Sequence, residues 1–171
     1  TPLYIYSRAA LEAHFRAFKD ALAGTDHLVC YAVKANSNIA VLQILARLGA
    51  GFDIVSGGEM QRVLKAGGDA AKIVFSGVGK TDAELSLGLD KGIGQFNIES
   101  REEGRELAAL AAARGERASA CLRINPDVDA KTHEKISTGK AENKFGIPLV
   151  HAREAYEELA ALGGLNLRGV A

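Results

Sequence analysis

A short apolar strand, a turn, an amphipathic helix and a glycine follow one another repeatedly along this chain. Strand-like runs occupy 27–33, 51–56, 72–77, 95–98, 117–125 and 165–171, and their starts lie 24, 21, 23, 22 and 48 residues apart. Alternation at that pace predicts parallel strands covered by helices, because parallel neighbours need a crossover of about a dozen residues or more. Two architectures satisfy the pattern, a doubly wound open sheet and a (β/α)8 barrel. Six strands would leave a barrel incomplete, and the pattern by itself does not choose between the two.

The helices have readable ends. Ser7 stands as a cap before Leu11, Phe15, Phe18 and Leu22, which share one face, and Gly24 marks the stop. Val41, Leu42, Leu45 and Leu48 form a second stripe that ends at Gly49. Thr81…Glu84 and Ser100…Glu103 have capping-box spacing, in which hydroxyl and carboxylate satisfy orphan amides reciprocally. Between the fifth strand and the helix that starts near Pro148, the polar stretch 126–147 is long enough to suggest a loop that is either functional or disordered. No linker or low-complexity tract interrupts 1–171, so one domain is expected.

Bulk properties exclude several classes. With 21 basic and 21 acidic residues, the chain lacks the overall charge of an electrostatic nucleic-acid binder. The longest apolar run, 107–113, is far short of the roughly 18 residues a membrane span needs. Cys30 and Cys121 sit inside apolar runs and read as reduced, buried thiols of a cytoplasmic protein. The chain begins at Thr1 and its sole methionine is Met60, so residues upstream are expected to be missing.

Three apparent motifs fail on inspection. Gly79-Lys80-Thr81 looks like the end of a phosphate-binding loop, but the glycine needed five residues earlier is Val74. A short turn and a capped helix are expected there instead. Gly92-Ile93-Gly94 lacks the third glycine of a dinucleotide fingerprint, since Asn97 occupies its place. His14, His27, His133 and His151 have no metal-ligand spacing, so no metal is expected.

The residues that point to chemistry cluster at strand ends. Alternation along the first strand groups Leu28, Cys30, Ala32 and Lys34 on one face. In a barrel, Lys34 would project at the C-terminal mouth, where active sites are built, and a desolvated lysine there can form a Schiff base. Otherwise its ammonium simply reaches solvent past the strand. Asp53 ends the second strand near the same mouth, and Glu59 follows in Ser56-Gly57-Gly58-Glu59. These carboxylates could hold a protonated nitrogen, although Glu59 equally suits the first turn of a helix. Arg123 shares a face with Cys121 and Asn125, as an active-site cation or a structural ion-pair partner.

Tyr31-Ala32-Val33-Lys34-Ala35-Asn36 resembles the cofactor-lysine motif of the alanine-racemase-like decarboxylases, which depend on pyridoxal 5'-phosphate (PLP). Gly51-Phe52-Asp53, Ser56-Gly57-Gly58-Glu59, Phe75-Ser76-Gly77-Val78-Gly79-Lys80 and Leu122-Arg123-Ile124-Asn125-Pro126 follow in that family's order. Thr132-His133-Glu134-Lys135-Ile136-Ser137-Thr138-Gly139, with Lys144-Phe145-Gly146, is similar to the diaminopimelate decarboxylases more than to their ornithine or arginine relatives. The resemblance runs over all of 1–171.

What the resemblance implies is specific. The fold would be a partial PLP-binding (β/α)8 barrel with about six of eight strands. Lys34 would hold PLP as a Schiff base, with Asp53, Glu59 and Arg123 as further catalytic residues. The substrate would be the small amino acid meso-diaminopimelate, decarboxylated to L-lysine by a cytoplasmic homodimer. A decarboxylase of ornithine, arginine or lysine, and a non-catalytic regulatory fragment, are the alternatives. The family continues past the position of Ala171 into a histidine motif, a phosphate loop and a β-domain. The chain is therefore expected to be a fragment, inactive alone.

Overall fold

A computed structural model of the protein describes residues 1–126 and 145–171. The chain divides into two compact units, Thr1–Val74 and Phe75–Ala171. Both are built from parallel strands alternating with helices, the α/β class that the spacing predicts.

The first unit contains α1 (Arg8–Ala21), β1 (Cys30–Ala32), a 3-10 turn (Val33–Ala35), α2 (Ile39–Arg47), β2 (Gly51–Ile54) and α3 (Gly57–Lys65). It ends within β3 (Ile73–Phe75). Strand β1 runs parallel to β2 with Cys30 opposite Gly51 and Ala32 opposite Asp53. The helices start where short polar side chains cap them: Ser7 Oγ accepts from the Ala10 amide, Asn38 from Ala40, and Ser56 from Glu59. Leu42, Phe52, Ile54, Met60 and Val63 are wholly buried and form the core of this unit. At Gly51 no side chain fits, since a Cβ would lie 2.6 Å from Cys30 Sγ and 2.8 Å from the Lys72 carbonyl oxygen. Helix α1 buries none of its residues. Leu11, Phe15 and Phe18 of its apolar stripe line a cavity of ≈ 400 Å³ with Val29, Tyr31 and Leu45, and Phe18 remains 66% exposed.

The second unit contains α4 (Asp82–Lys91), β4 (Gln95–Ile98), α5 (Arg101–Ala112), β5 (Ala118–Leu122), β6 (Ile124–Asn125), β7 (Ile147–Pro148), α6 (Leu149–Ala160) and β8 (Leu165–Val170). Strand β5 lies between β4 and β8, parallel to both, with a register shift between Ala120 and Cys121. The pair β6–β7 is a separate two-residue parallel ladder. Close approaches set the packing. Gly104 of α5 faces Leu159 of α6, and Gly164 lies against the Ala108 carbonyl. Arg101 reaches Glu154 and Glu158 across the same two helices, and Arg105 also pairs with Glu158.

Three local expectations change. The first strand occupies only 30–32 of the expected 27–33, because the backbone turns into the 3-10 helix at Val33. The fifth breaks at Arg123, whose carbonyl accepts from Ile147 N at 2.8 Å while Ile124 N donates to Ala171. Ser100…Glu103 forms only half a capping box, since the Glu103 carboxylate is drawn to Lys80. Thr81…Glu84 forms both halves. Most of the expected loop, 127–144, lies outside the described residues, and so do His133 and the segment 132–139.

Candidate active site

In the first unit, Lys34, Asp53 and Glu59 gather at the C-terminal ends of β1 and β2. Lys34 is presented by the 3-10 turn directly after β1, not by strand alternation. It is exposed, and among the described residues its ammonium has no hydrogen-bond or ion-pair partner. Asp53 is paired in register with Ala32, two residues before Lys34. The Asp53 charge, after burial itself, is the second cause that raises the Cys30 thiol above its ordinary value. Cys30 is half-buried, less enclosed than its apolar neighbours suggest, and both cysteines are free thiols. The Glu59 carboxylate sits in the first turn of α3 and accepts from Val55 N at 2.7 Å. Its charge is thus fixed where the exposed amides of a helix start favour an anion. None of the three lines the apolar cavity beneath α1.

In the second unit, Arg123 occupies the break between β5 and β6. Its Nη1 donates to Glu99 Oε1 at 2.7 Å, and its guanidinium lies 4.9 Å from the Phe145 ring centroid. The side chain is 29% exposed, against 2% for Glu99. Glu99 follows β4 directly and also accepts from Gly77 N and Gly146 N, at 2.8 and 3.0 Å. No motif or periodicity in the sequence marks Glu99. A carboxylate between the last strand residue and the helix cap Ser100 was the available signal.

Lys80 belongs to a buried structural network. Its Nζ donates to the Gly77 and Asn97 carbonyls, both at 2.8 Å, and pairs with Glu103 at 2.7 Å. Burial pushes the Glu103 carboxyl above its ordinary range, and the Lys80 charge only partly offsets this. The turn and capped helix expected around Lys80 are present. No group of three or more His, Cys, Asp or Glu among the described residues is arranged to hold a metal ion.

Comparison with known proteins gives a consistent result. The family model for pyridoxal-dependent decarboxylases, pyridoxal binding domain, matches residues 8–171. The diaminopimelate decarboxylases of Pseudomonas aeruginosa and Vibrio cholerae are 59% and 55% identical to this chain over 170 residues. Each alignment covers 99% of this chain and 41% of the relative. The solved structure of diaminopimelate decarboxylase from Helicobacter pylori, complexed with L-lysine, superposes with a TM-score of 0.95 at 42% identity. That match covers 99% of this chain and 44% of the other. The chain thus spans well under half the length of the relatives it matches.

Proposed function

The chain belongs to the pyridoxal binding domain family of the pyridoxal-dependent decarboxylases, and on that footing we propose that the protein carrying it converts meso-diaminopimelate to L-lysine and carbon dioxide, with PLP attached at Lys34. The observation that carries this reading is the state of Lys34. A covalent carbonyl anchor must be a primary amine that is reachable and able to shed its proton. Lys34 is exposed, free of partners among the described residues, and placed just past a parallel strand. Lys80 cannot serve, because three acceptors hold it and its side chain is 1% exposed. The amine at Lys34 therefore fits the cofactor.

Bound PLP supplies an electron sink for the pair left behind by departing carbon dioxide. The chain's own residues bind and orient. Asp53 brings a carboxylate to the end of β2, opposite Ala32, which precedes Lys34 by two residues, and a negative charge at such a strand end would favour a protonated nitrogen. Glu59 adds a second negative charge, held by the Val55 amide. Arg123 is the proposed cation, with Glu99 behind it.

Diaminopimelate is preferred over ornithine, arginine or lysine because the relatives named above, matched along nearly the whole chain, carry that substrate in their names. The similarity of 132–139 to those enzymes points the same way. No helix among the described residues is long and apolar enough to cross a membrane. A cytoplasmic homodimer and a single incomplete barrel domain over 1–171 complete the proposal.

The test is turnover by the complete gene product, supplied with PLP, on matched concentrations of meso-diaminopimelate, lysine, ornithine and arginine. Release of carbon dioxide fastest from meso-diaminopimelate is expected. Preference for ornithine would overturn the substrate assignment.

A further inference from the structure

Within the first unit, Lys34 stands on a weak piece of backbone. The 3-10 turn Val33–Ala35 is three residues long, and its N-cap Ala32 makes no side-chain cap bond. Hydrogen-bond geometry in such turns is poorer than in an α-helix, so they lean on their surroundings. Ahead of the turn, β1 contributes three residues paired with β2, and Val33 is fully buried. Unless the chain is caught again before α2, the placing of Lys34 is left to the turn itself.

Tyr31 supplies that catch. Its hydroxyl donates to the Asn36 carbonyl at 3.3 Å, from within β1 to the first residue after the turn, so the bond spans the whole of 33–35. Among the described residues, no other side chain hydrogen-bonds the backbone of 33–36. Asn36 is anchored in its turn, since its Oδ1 accepts from Asn38 N at 3.0 Å, and Asn38 Oδ1 caps α2 through the Ala40 amide at 2.9 Å. The half-buried ring of Tyr31 lies beside Leu11, Phe15 and Leu45, on a residue in register with Phe52. Burial, and after it the charge of Tyr6, push the hydroxyl above its ordinary value, so it remains a proton donor through neutral pH. A length of 3.3 Å is long for a hydroxyl donor, so losing this bond shifts the turn without unfolding the unit.

We propose that Tyr31 is a positioning residue: by holding the Asn36 carbonyl, its hydroxyl fixes where the turn delivers the Lys34 amine to the aldehyde of the cofactor. This deepens the function proposed above and rests on it. Capture of an aldehyde forms a C=N bond from the lone pair of the neutral amine, and the carbonyl oxygen leaves as water with the two amine hydrogens. That step rewards an amine held at one distance and angle from the carbonyl carbon. A purely structural hydroxyl would support stability alone. A positioning one also makes carbonyl capture at Lys34 depend on it.

The experiment uses the complete gene product with Tyr31→Phe, which removes one oxygen and keeps the ring, beside Ser7→Ala, which removes the cap of α1 and is a control for a general loss of stability. Three quantities are measured: amide hydrogen exchange across 33–36 in the cofactor-free protein, the rate at which added PLP becomes trappable on Lys34 by borohydride, and thermal unfolding. Tyr31→Phe is expected to speed exchange and to slow capture at Lys34, each by about three- to tenfold. Ser7→Ala should lower the melting temperature and leave both rates unchanged. Faster exchange with an unchanged capture rate makes the hydroxyl structural and overturns the inference, as does unchanged exchange. Equal slowing of capture by Ser7→Ala overturns it too. Slowed capture in Tyr31→Phe, with no turnover of meso-diaminopimelate by the unaltered protein, sinks the substrate reading and leaves this one standing. PLP trapped on a different lysine in the unaltered protein overturns both.

Discussion

Lys80 Nζ and Glu103 Oε1 lie 2.7 Å apart with side chains 1% and 9% exposed, joining the start of α4 to the first turn of α5. The two partners are not equivalent. Lys80 also satisfies two backbone carbonyls, whereas burial already disfavours charge on Glu103.

Lys80→Met is therefore expected to cost about 3–5 kcal/mol, because it strips the donor from three buried acceptors. Glu103→Gln keeps an oxygen for Lys80 and should stay within about 1 kcal/mol of the wild type at pH 7. Urea denaturation of the complete gene product measures both. Equal losses would contradict the asymmetry.

A pH dependence follows from the same carboxyl. Its value is raised on folding, so the folded state holds the proton more tightly than the unfolded chain does. That contribution is full below pH 4.5 and is lost as pH rises through the raised value. The Glu103→Gln variant lacks it. Subtracting the two stability profiles should leave a component that declines from pH 4.5 upward; a rising difference would reverse the sign.

Lys34 is open to direct chemical test. Borohydride reduction of the complete gene product with PLP should leave the cofactor's mass on the peptide containing Lys34. Lys34→Ala should lower kcat by more than about a thousandfold. Cofactor mass on a different lysine would remove the assignment.

Adjacent glycines give a packing test. At Gly164 a Cβ would be driven into the Ala108 carbonyl, whereas at Gly163 nothing lies within 4 Å. Gly164→Ala should cost about 3 kcal/mol or more, and Gly163→Ala should change stability by less than about 1 kcal/mol. Paired thermal melts decide it.

The 171-residue chain by itself should self-associate and show no turnover. Leu3, Tyr4 and Ile5 are 79–86% exposed, Phe18 is 66% exposed, and Val150 is 86% exposed. Apolar groups in that number favour contact with other copies. Sedimentation of the chain should show oligomers, reduced when Ile5 and Phe18 are changed to serine. A monomeric, active chain would refute this.

Much of the fold was legible because its signals are local. The strand 95–98 was placed to the residue, bounded by Gly94 and the cap at Ser100, and Ser7 and Thr81 cap as their neighbours suggest. Lys34 lies at a strand end, as the sequence suggests, but a 3-10 turn presents it. Two-residue alternation says nothing about a backbone that turns at Val33. The Glu103 carboxylate departs from its capping-box spacing because its partner is 23 residues away, and nothing local marks Glu99, whose partners lie 22, 24 and 47 residues off. Distances of that kind carry no periodic mark.

The same remoteness has a kinetic meaning for Glu99. Its carboxylate can be satisfied only after Gly77, Arg123 and Gly146 have been brought together, and each closure sacrifices chain entropy before any hydrogen bond is made. Interactions completed that late are expected to form after the folding transition state. Shortening the side chain with Glu99→Asp should therefore leave the refolding limb of a chevron plot almost unmoved and raise the unfolding rate, so that this one buried charge serves as a latch on the finished structure.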